Sequence, residues 1–346
     1  MPRQGSLLAY TVSRLFLSLP TLLILLTVVF AVLRILPGDP ISALEAGRRT
    51  AEQIAADKAR LGLDRPYWEQ YLAYVSQIFT GNLGTSLGQI YQGQSVLTVI
   101  LQKLPATVEL AIGGMLIATF VGVGTGIVAG TRRDKPGDVV VRLYGSIIWV
   151  IPIFWLGLMF QLVFAVGLHW FPPNLRYATD PVLYPPPPHI TGLYTIDSLL
   201  EGRPDKFLIA LQHLFLPSLT LGLVLSGFFT RTVRANLLRT IGADYVEAAW
   251  ARGIKRRFII YRYAFRNALI PTVTILGLQF AILFAGAILT EHTFSWDGMG
   301  TLLLVSIDSR DYPMIQGVVV VYAFIIVLIS VVIDVINGLI DPRVRY

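Results

Sequence analysis

Residues 312–333 read YPMIQGVVVVYAFIIVLISVVI, a run of 22 positions without a charged side chain. A helix rises 1.5 Å per residue, so a run of this length reaches across ~30 Å of hydrocarbon. Lipid offers no partner to a free backbone N–H or C=O, and only a helix or a closed barrel pairs them all internally. Five more uncharged runs pass the same test: 15–33, 110–130, 143–168, 207–230 and 268–290. The pattern predicts an all-α polytopic membrane protein with six transmembrane helices. Pro20, Pro152, Pro217 and Pro271 fall inside these runs, and membrane helices tolerate proline where neighbours satisfy the freed carbonyls.

The whole composition agrees. Of 346 residues 54% are hydrophobic and 14% charged, with a mean hydropathy of +0.65, far from the balance of soluble domains. The net charge of +7 then points to basic cytoplasmic loops rather than to nucleic acid. With no cysteine, disulfides and thiolate metal sites are excluded, and the four histidines are too scattered for a metal cage. The first run follows Arg3 and Arg14 but is too long for a signal-peptide core and lacks a cleavage pattern, so it reads as an uncleaved crossing.

Lys and Arg near the crossings set the orientation. The segment 131–142 carries Arg132, Arg133, Lys135 and Arg142, and 231–267 carries nine basic residues, against three in 169–206 and one, Arg310, in 291–311. Both termini are therefore expected on the cytoplasmic side. The division that follows is 1–36 as N-terminal tail and first transmembrane helix, 37–103 as a small extracytoplasmic helical subdomain, and 104–346 as a core with five transmembrane helices and a cytoplasmic loop, 231–271. Within the subdomain, Thr50 and Gln53 fit a capping box, and a second helix begins at Pro66 with Tyr67, Tyr71, Tyr74 and Ile78 at helical spacing before Gly81. Those tyrosines either pack on the membrane domain or form a partner surface. The YPPPP run, 184–188, predicts a rigid extended loop.

Several chemical-looking features have plainer readings. GVGTGIVAG, 122–130, lies inside a crossing and lacks the flanks of a phosphate-binding loop; small residues there let helices approach closely. No nucleotide, metalloprotease or nucleophile-elbow motif occurs, so no catalytic residue and no metal ligand is assigned. Glu109 and Asp334 each sit one residue beyond an uncharged run and are expected to reach an interface or a neighbouring helix. A proton-driven secondary transporter needs ionisable groups near mid-membrane, and the six runs offer only His213.

In the basic loop, DYVEAAWARG occupies 244–253. Asp244 suits an N-cap, Glu247 the capping-box position and Gly253 the left-handed C′ position, which predicts a helix from Tyr245 to Arg252 with Val246, Ala249 and Trp250 as its apolar face. A helix of ~12 Å is marginal alone. It either braces the next crossing against lipid headgroups or docks a partner.

At these residues the sequence resembles a known family. EAA followed by Gly, with RNALIP at 266–271, resembles the loop signature of ABC importer permeases. LGLDRPYWEQYL (61–72), GNLGTS (81–86), LPATVELA (104–111), AGAILTEHTFSWDGMG (285–300), RDYPMIQG (310–317) and DPRVR (341–345) narrow this to the dipeptide and oligopeptide permease B family. Asp297 stands where that family often has proline. The resemblance implies a non-enzymatic subunit of a prokaryotic inner-membrane peptide importer. Its expected partners are a second homologous permease, two cytoplasmic ATPases that bind the ATP and Mg, an extracytoplasmic solute-binding protein, membrane lipid and the peptide. It assigns Asp244, Tyr245, Glu247, Ala248, Ala249 and Gly253 to the ATPase contact. Nickel, glutathione or another small solute is the alternative cargo, and a gradient-driven transporter the alternative class.

Overall fold

The computed structural model describes residues 7–34, 52, 59, 62 and 64–340. The expected capping box at Thr50 and the DPRVR segment lie outside the described residues. Among the described residues the regular structure is helical apart from a single antiparallel bridge, Thr85 to Ser95. The helices are α1 (Leu7–Arg34), α2 (Tyr67–Phe79), α3 (Val96–Thr131), α4 (Pro136–Val150), α5 (Ile153–Phe160), α6 (Tyr194–Leu200), α7 (Pro204–Ile241), α8 (Asp244–Ala251), α9 (Arg256–Phe258), α10 (Arg266–Thr293), α11 (Met299–Asp308) and α12 (Tyr312–Ile340). Wider π-helical turns, Gln161–Gly167 and Ile259–Phe265, continue α5 and join α9 to α10.

Helical segments occupy all six uncharged runs. The stretches Thr11–Val32, Val96–Thr131, Pro204–Ile241 and Tyr312–Ile336 are each long and apolar enough to cross a membrane. The 28 residues of α10 give a rod of ~42 Å around the apolar stretch Pro271–Phe280. The remaining run, 143–168, is broken at the proline it contains: α4 and the segment Ile153–Gly167 meet at 102°. Pro20, Pro217 and Pro271 stay within continuous helices, whereas Ile151 (ψ 125°) and Pro152 (ψ 131°) are both extended. Proline disfavours the helical conformation of the residue before it and supplies no N–H, so α4 ends there.

The chain divides into two compact units, one of 1–14, 106–297 and 329–346, the other of 15–105 and 298–328. In the second unit, α1 and α2 meet through aromatic packing. Phe30 lies 5.3 Å from Tyr71 edge-on and 5.6 Å from Tyr74, and the Tyr71 hydroxyl hydrogen-bonds Thr27 at 2.7 Å. The expected tyrosine spacing thus buries Tyr74 and half-buries Tyr71 against α1, while Tyr67 stays exposed. The GNLGTS segment is pinned to the start of α12. Asp311, buried, accepts from Ser86 Oγ (2.5 Å), Leu87 N (3.1 Å) and Met314 N (3.3 Å).

In the first unit, α3 and α7 pack through glycine. A Cβ on Gly126 would stand 2.6 Å from Val233 Cβ, one on Gly130 2.9 Å from a Leu237 methyl, and one on Gly222 2.7 Å from the Gly114 carbonyl. The glycine run is therefore a close-approach surface between two membrane helices, as expected. Glu109 and Asp334 both find neighbours: Arg14 stands 3.6 Å from Asp334, and Arg176 2.7 Å from Glu109.

The segment 168–203 is more ordered than a rigid proline loop. Pro185–Pro188 run without regular structure, but they are followed by α6, which the sequence reading missed. Asp197, fully buried, organises the turn before it by accepting from the amides of Thr191 (2.8 Å) and Gly192 (2.9 Å) and from the Thr191 hydroxyl (2.7 Å).

Candidate functional site: the loop helix and its seat

The chain leaves α7 through Gly242, and the Ala243 amide turns back to the Thr240 carbonyl at 3.2 Å. Ala243 is extended (ψ 147°) and is the N-cap, and its carbonyl accepts from both Val246 (2.8 Å) and Glu247 (3.2 Å). The helix begins one residue earlier than expected, and no side chain caps it. The anticipated capping box of Asp244 and Glu247 is absent for that reason. Both carboxylates instead stand in the first turn, where they complement the positive end of the helix dipole.

The other end is as anticipated. Gly253 adopts φ +71°, its amide bonds the Trp250 carbonyl at 2.9 Å, and Ile254 N reaches the Ala249 carbonyl at 3.3 Å. These two bonds form a Schellman motif, which satisfies carbonyls that the last turn would otherwise leave open.

Two inward side chains seat the helix. Val246 and Ala249 are buried in a cluster with Leu237 from α7, Ile259 and Ala264 from the π-wound stretch, and Ala268 from α10, with Ile241 and Ile254 packed around it. Burying a valine contributes ~1.5 kcal/mol or more, a large share of what an eight-residue helix needs. Trp250, expected on the apolar face, lies at the edge of it, about 100° around the helix from Ala249, and stays 45% exposed. Asp244, Tyr245, Glu247, Ala248, Trp250 and Gly253 are all exposed. Of the residues assigned to the ATPase contact, Ala249 alone turns into the chain's own core.

Two polar links that sequence reasoning missed hold this loop to the neighbouring connection. Arg256 Nη2 donates to the carbonyl of Thr131, the last residue of α3, at 3.1 Å. Asp138, completely buried in the first turn of α4, receives Arg234 of α7 through two bonds, Nε at 2.7 Å and Nη2 at 2.8 Å, and also accepts from Asp134 N at 3.1 Å. The only local trace of this pair is Arg142 four residues after Asp138, 3.8 Å from it. The α3–α4 connection and the α7–α8 connection therefore form one basic end of the first unit, with the exposed face of α8 on it.

Toward the other end of the same unit lies a buried polar layer built from residues of the quoted motifs. Glu109 accepts Arg176 Nε (3.1 Å) and Nη2 (2.7 Å) on one oxygen and the Thr195 amide (2.8 Å) and hydroxyl (2.7 Å) on the other. The Arg176 guanidinium stacks 3.9 Å from the Tyr194 ring and also donates to the Gly192 carbonyl. Beside it Thr107 donates to Glu291 at 2.6 Å, and Trp296 Nε1 donates to the Ala106 carbonyl at 2.8 Å. LPATVELA and TEHTFSW thus meet in space.

Comparison with known proteins bears on this arrangement. Residues 122–346 match the family described as binding-protein-dependent transport system inner membrane component, and residues 7–111 match the N-terminal model of the same system. The chain is 37% identical over 341 residues to the dipeptide transport system permease protein of Alkalihalophilus pseudofirmus, covering 98% of this chain and 100% of that one. It is 38% identical over 341 residues to the di/tripeptide transport system permease protein of Pseudomonas aeruginosa, with 98% and 99% covered. The glutathione transport system permease protein of Salmonella typhi is 32% identical over 340 residues, with 98% and 100% covered.

Proposed function

Since the chain belongs to the family of binding-protein-dependent transport system inner membrane components, we propose that it is one of two pore-forming subunits of an ATP-driven peptide importer. It is a multi-pass membrane subunit of a transport system. In this reading the basic end that carries α8 is cytoplasmic, as are both termini, and energy comes from two ATPase chains that bind the ATP and Mg. The observation that carries the proposal is α8: a short helix locked from below by Val246 and Ala249 while Tyr245, Glu247, Ala248 and Trp250 stay open. A helix so seated is a rigid knob for a groove on another protein.

ATPase closure would bring the two α8 knobs of a permease pair together, and the crossings would tilt to open the cavity outward. A binding protein would then release peptide into it. Peptide cargo is favoured over glutathione because identity to the peptide permeases, 37% and 38%, exceeds the 32% to the glutathione permease.

Glu247→Arg is the test. It reverses a charge on the exposed face without touching the seat, so the variant should insert normally yet lose peptide uptake and peptide-stimulated ATPase activity in the complete transporter. Uptake at the parental rate would refute the role given to α8. Uptake that survives ATP depletion but stops on collapse of the ion gradient would refute the class.

A further inference from the structure

The helix α2 has one apolar arc, and the chain covers only half of it. At about 100° per residue, Trp68, Leu72, Val75 and Phe79 fall within about 60° of one another, and Tyr71, Tyr74 and Ile78 continue the arc on one side. The rest of the circumference carries Glu69, Gln70, Ala73, Ser76 and Gln77. Tyr74 is buried and Tyr71, Val75 and Ile78 are half-buried, whereas Trp68, Leu72 and Phe79 stay 64%, 59% and 60% exposed.

The seat of the covered half sets the depth of the open half. Tyr71, Tyr74 and Ile78 pack in one cluster with Leu22, Leu26 and Phe30 of α1 and Val320 of α12. Leu22 to Phe30 lie inside the membrane-length stretch Thr11–Val32, and Val320 lies inside Tyr312–Ile336. Along the helix axis the α1 contacts fall about 6 to 18 Å short of Arg34. The helix α2 therefore sits beside two crossings, level with the edge of the hydrocarbon at which α1 emerges. Val28 and Val32 of α1, interspersed with the seat residues, are open as well, so apolar surface of the crossing itself is exposed at the same level. A soluble partner would have to enter the membrane to cover it. A helix with an aromatic and aliphatic arc on one side and a polar arc on the other is the form that lies in the boundary between headgroups and acyl chains, where tryptophan is enriched.

We infer that α2 is an interfacial membrane anchor, with the arc of Trp68, Leu72 and Phe79 entering lipid in the boundary layer around the Arg34 end of α1. Part of the expected extracytoplasmic subdomain is then an element of the bilayer surface. This goes beyond the transport reading and holds whatever the cargo.

The test places single thiols in this chain, which has no cysteine, within the complete transporter assembled with cysteine-free partner chains. The complex is reconstituted in liposomes of phosphatidylethanolamine and phosphatidylglycerol. Leu72→Cys and Phe79→Cys report on the open apolar arc and Ala73→Cys on the exposed polar arc, each carrying a bimane fluorophore. Lipid with a doxyl quencher high on its acyl chain should quench the first two labels about fivefold more than the third, since an interfacial helix sinks only its apolar face into the acyl boundary. A doxyl group at the methyl end should quench them less, and iodide in the water should quench the Ala73→Cys label most. Trp68→Cys, on the same arc, stands in for either apolar variant that does not assemble. Equal doxyl quenching of all the labels, or iodide quenching as strong at Leu72→Cys as at Ala73→Cys, overturns the inference. So does a Leu72→Cys label shielded from both quenchers, which would mean that a partner subunit covers the arc.

Discussion

Replacing Glu109 with alanine should cost this membrane bundle about 3–5 kcal/mol, the loss found when one partner of a buried ion pair is removed and its counter-charge is stranded. The structure explains why the value belongs in that range. Glu109 is 5% exposed and Arg176 9%, so water cannot take over the guanidinium. The carboxylate receives four hydrogen bonds, two from Arg176 and two from Thr195. In its absence Arg176 keeps the Gly192 carbonyl and the Tyr194 and Trp296 rings, none of them an anion. The effect should be read by unfolding the detergent-purified chain with SDS, following tryptophan fluorescence; Trp296, whose ring lies 5.9 Å from the guanidinium, reports on this layer. Arg176→Met added to Glu109→Ala should recover much of the loss, giving a coupling energy of about 2 kcal/mol or more. A Glu109→Ala cost under about 1 kcal/mol, or simple additivity in the cycle, would show that the pair does not hold the 169–206 segment to α3.

Gly126→Leu should prevent folding or expression, because even its Cβ would meet Val233 at 2.6 Å, whereas Gly124→Leu, with nothing within 4 Å, should be tolerated; yields of folded protein by size-exclusion chromatography distinguish them. Gly253→Ala should weaken the end of α8 by about 1–2 kcal/mol through left-handed backbone strain, visible as faster proteolysis at 250–257 in detergent. Asp311→Ala should release the turn at Ser86 and Leu87 at a cost of about 2–3 kcal/mol, read as faster hydrogen exchange of the Leu87 amide.

Periodicity and charge made the helical class and the position of α8 legible, because a long apolar run has one solution in lipid and Gly253 has one favoured place at a helix end. The glycine run was legible for the same reason: small residues at helical spacing mark a close contact whichever helix supplies the other side. The break between α4 and α5 was not. Pro152 looks no different in the sequence from Pro20 or Pro217, and only the partner helices decide whether a proline is absorbed or breaks the rod. The capping box failed because α8 starts one residue early, so that Ala243, with no side-chain acceptor, is the N-cap in place of Asp244. Long-range pairs such as Asp138 with Arg234, Glu109 with Arg176 and Ser86 with Asp311 leave no local pattern, since each is formed by the fold bringing distant charges or hydroxyls together.

Four residues, 252–255, separate α8 from α9 and the helical run that continues through the π-wound stretch into α10. The Schellman bonds hold Gly253 and Ile254, and Ile254 is wedged beside the seat of α8. A linkage this short has no backlash. Displacement of the knob arrives at Arg266 without being taken up by loose chain, so α8 and the base of α10 move as one crank, and lengthening that joint by a few flexible residues would disengage it while leaving both parts folded.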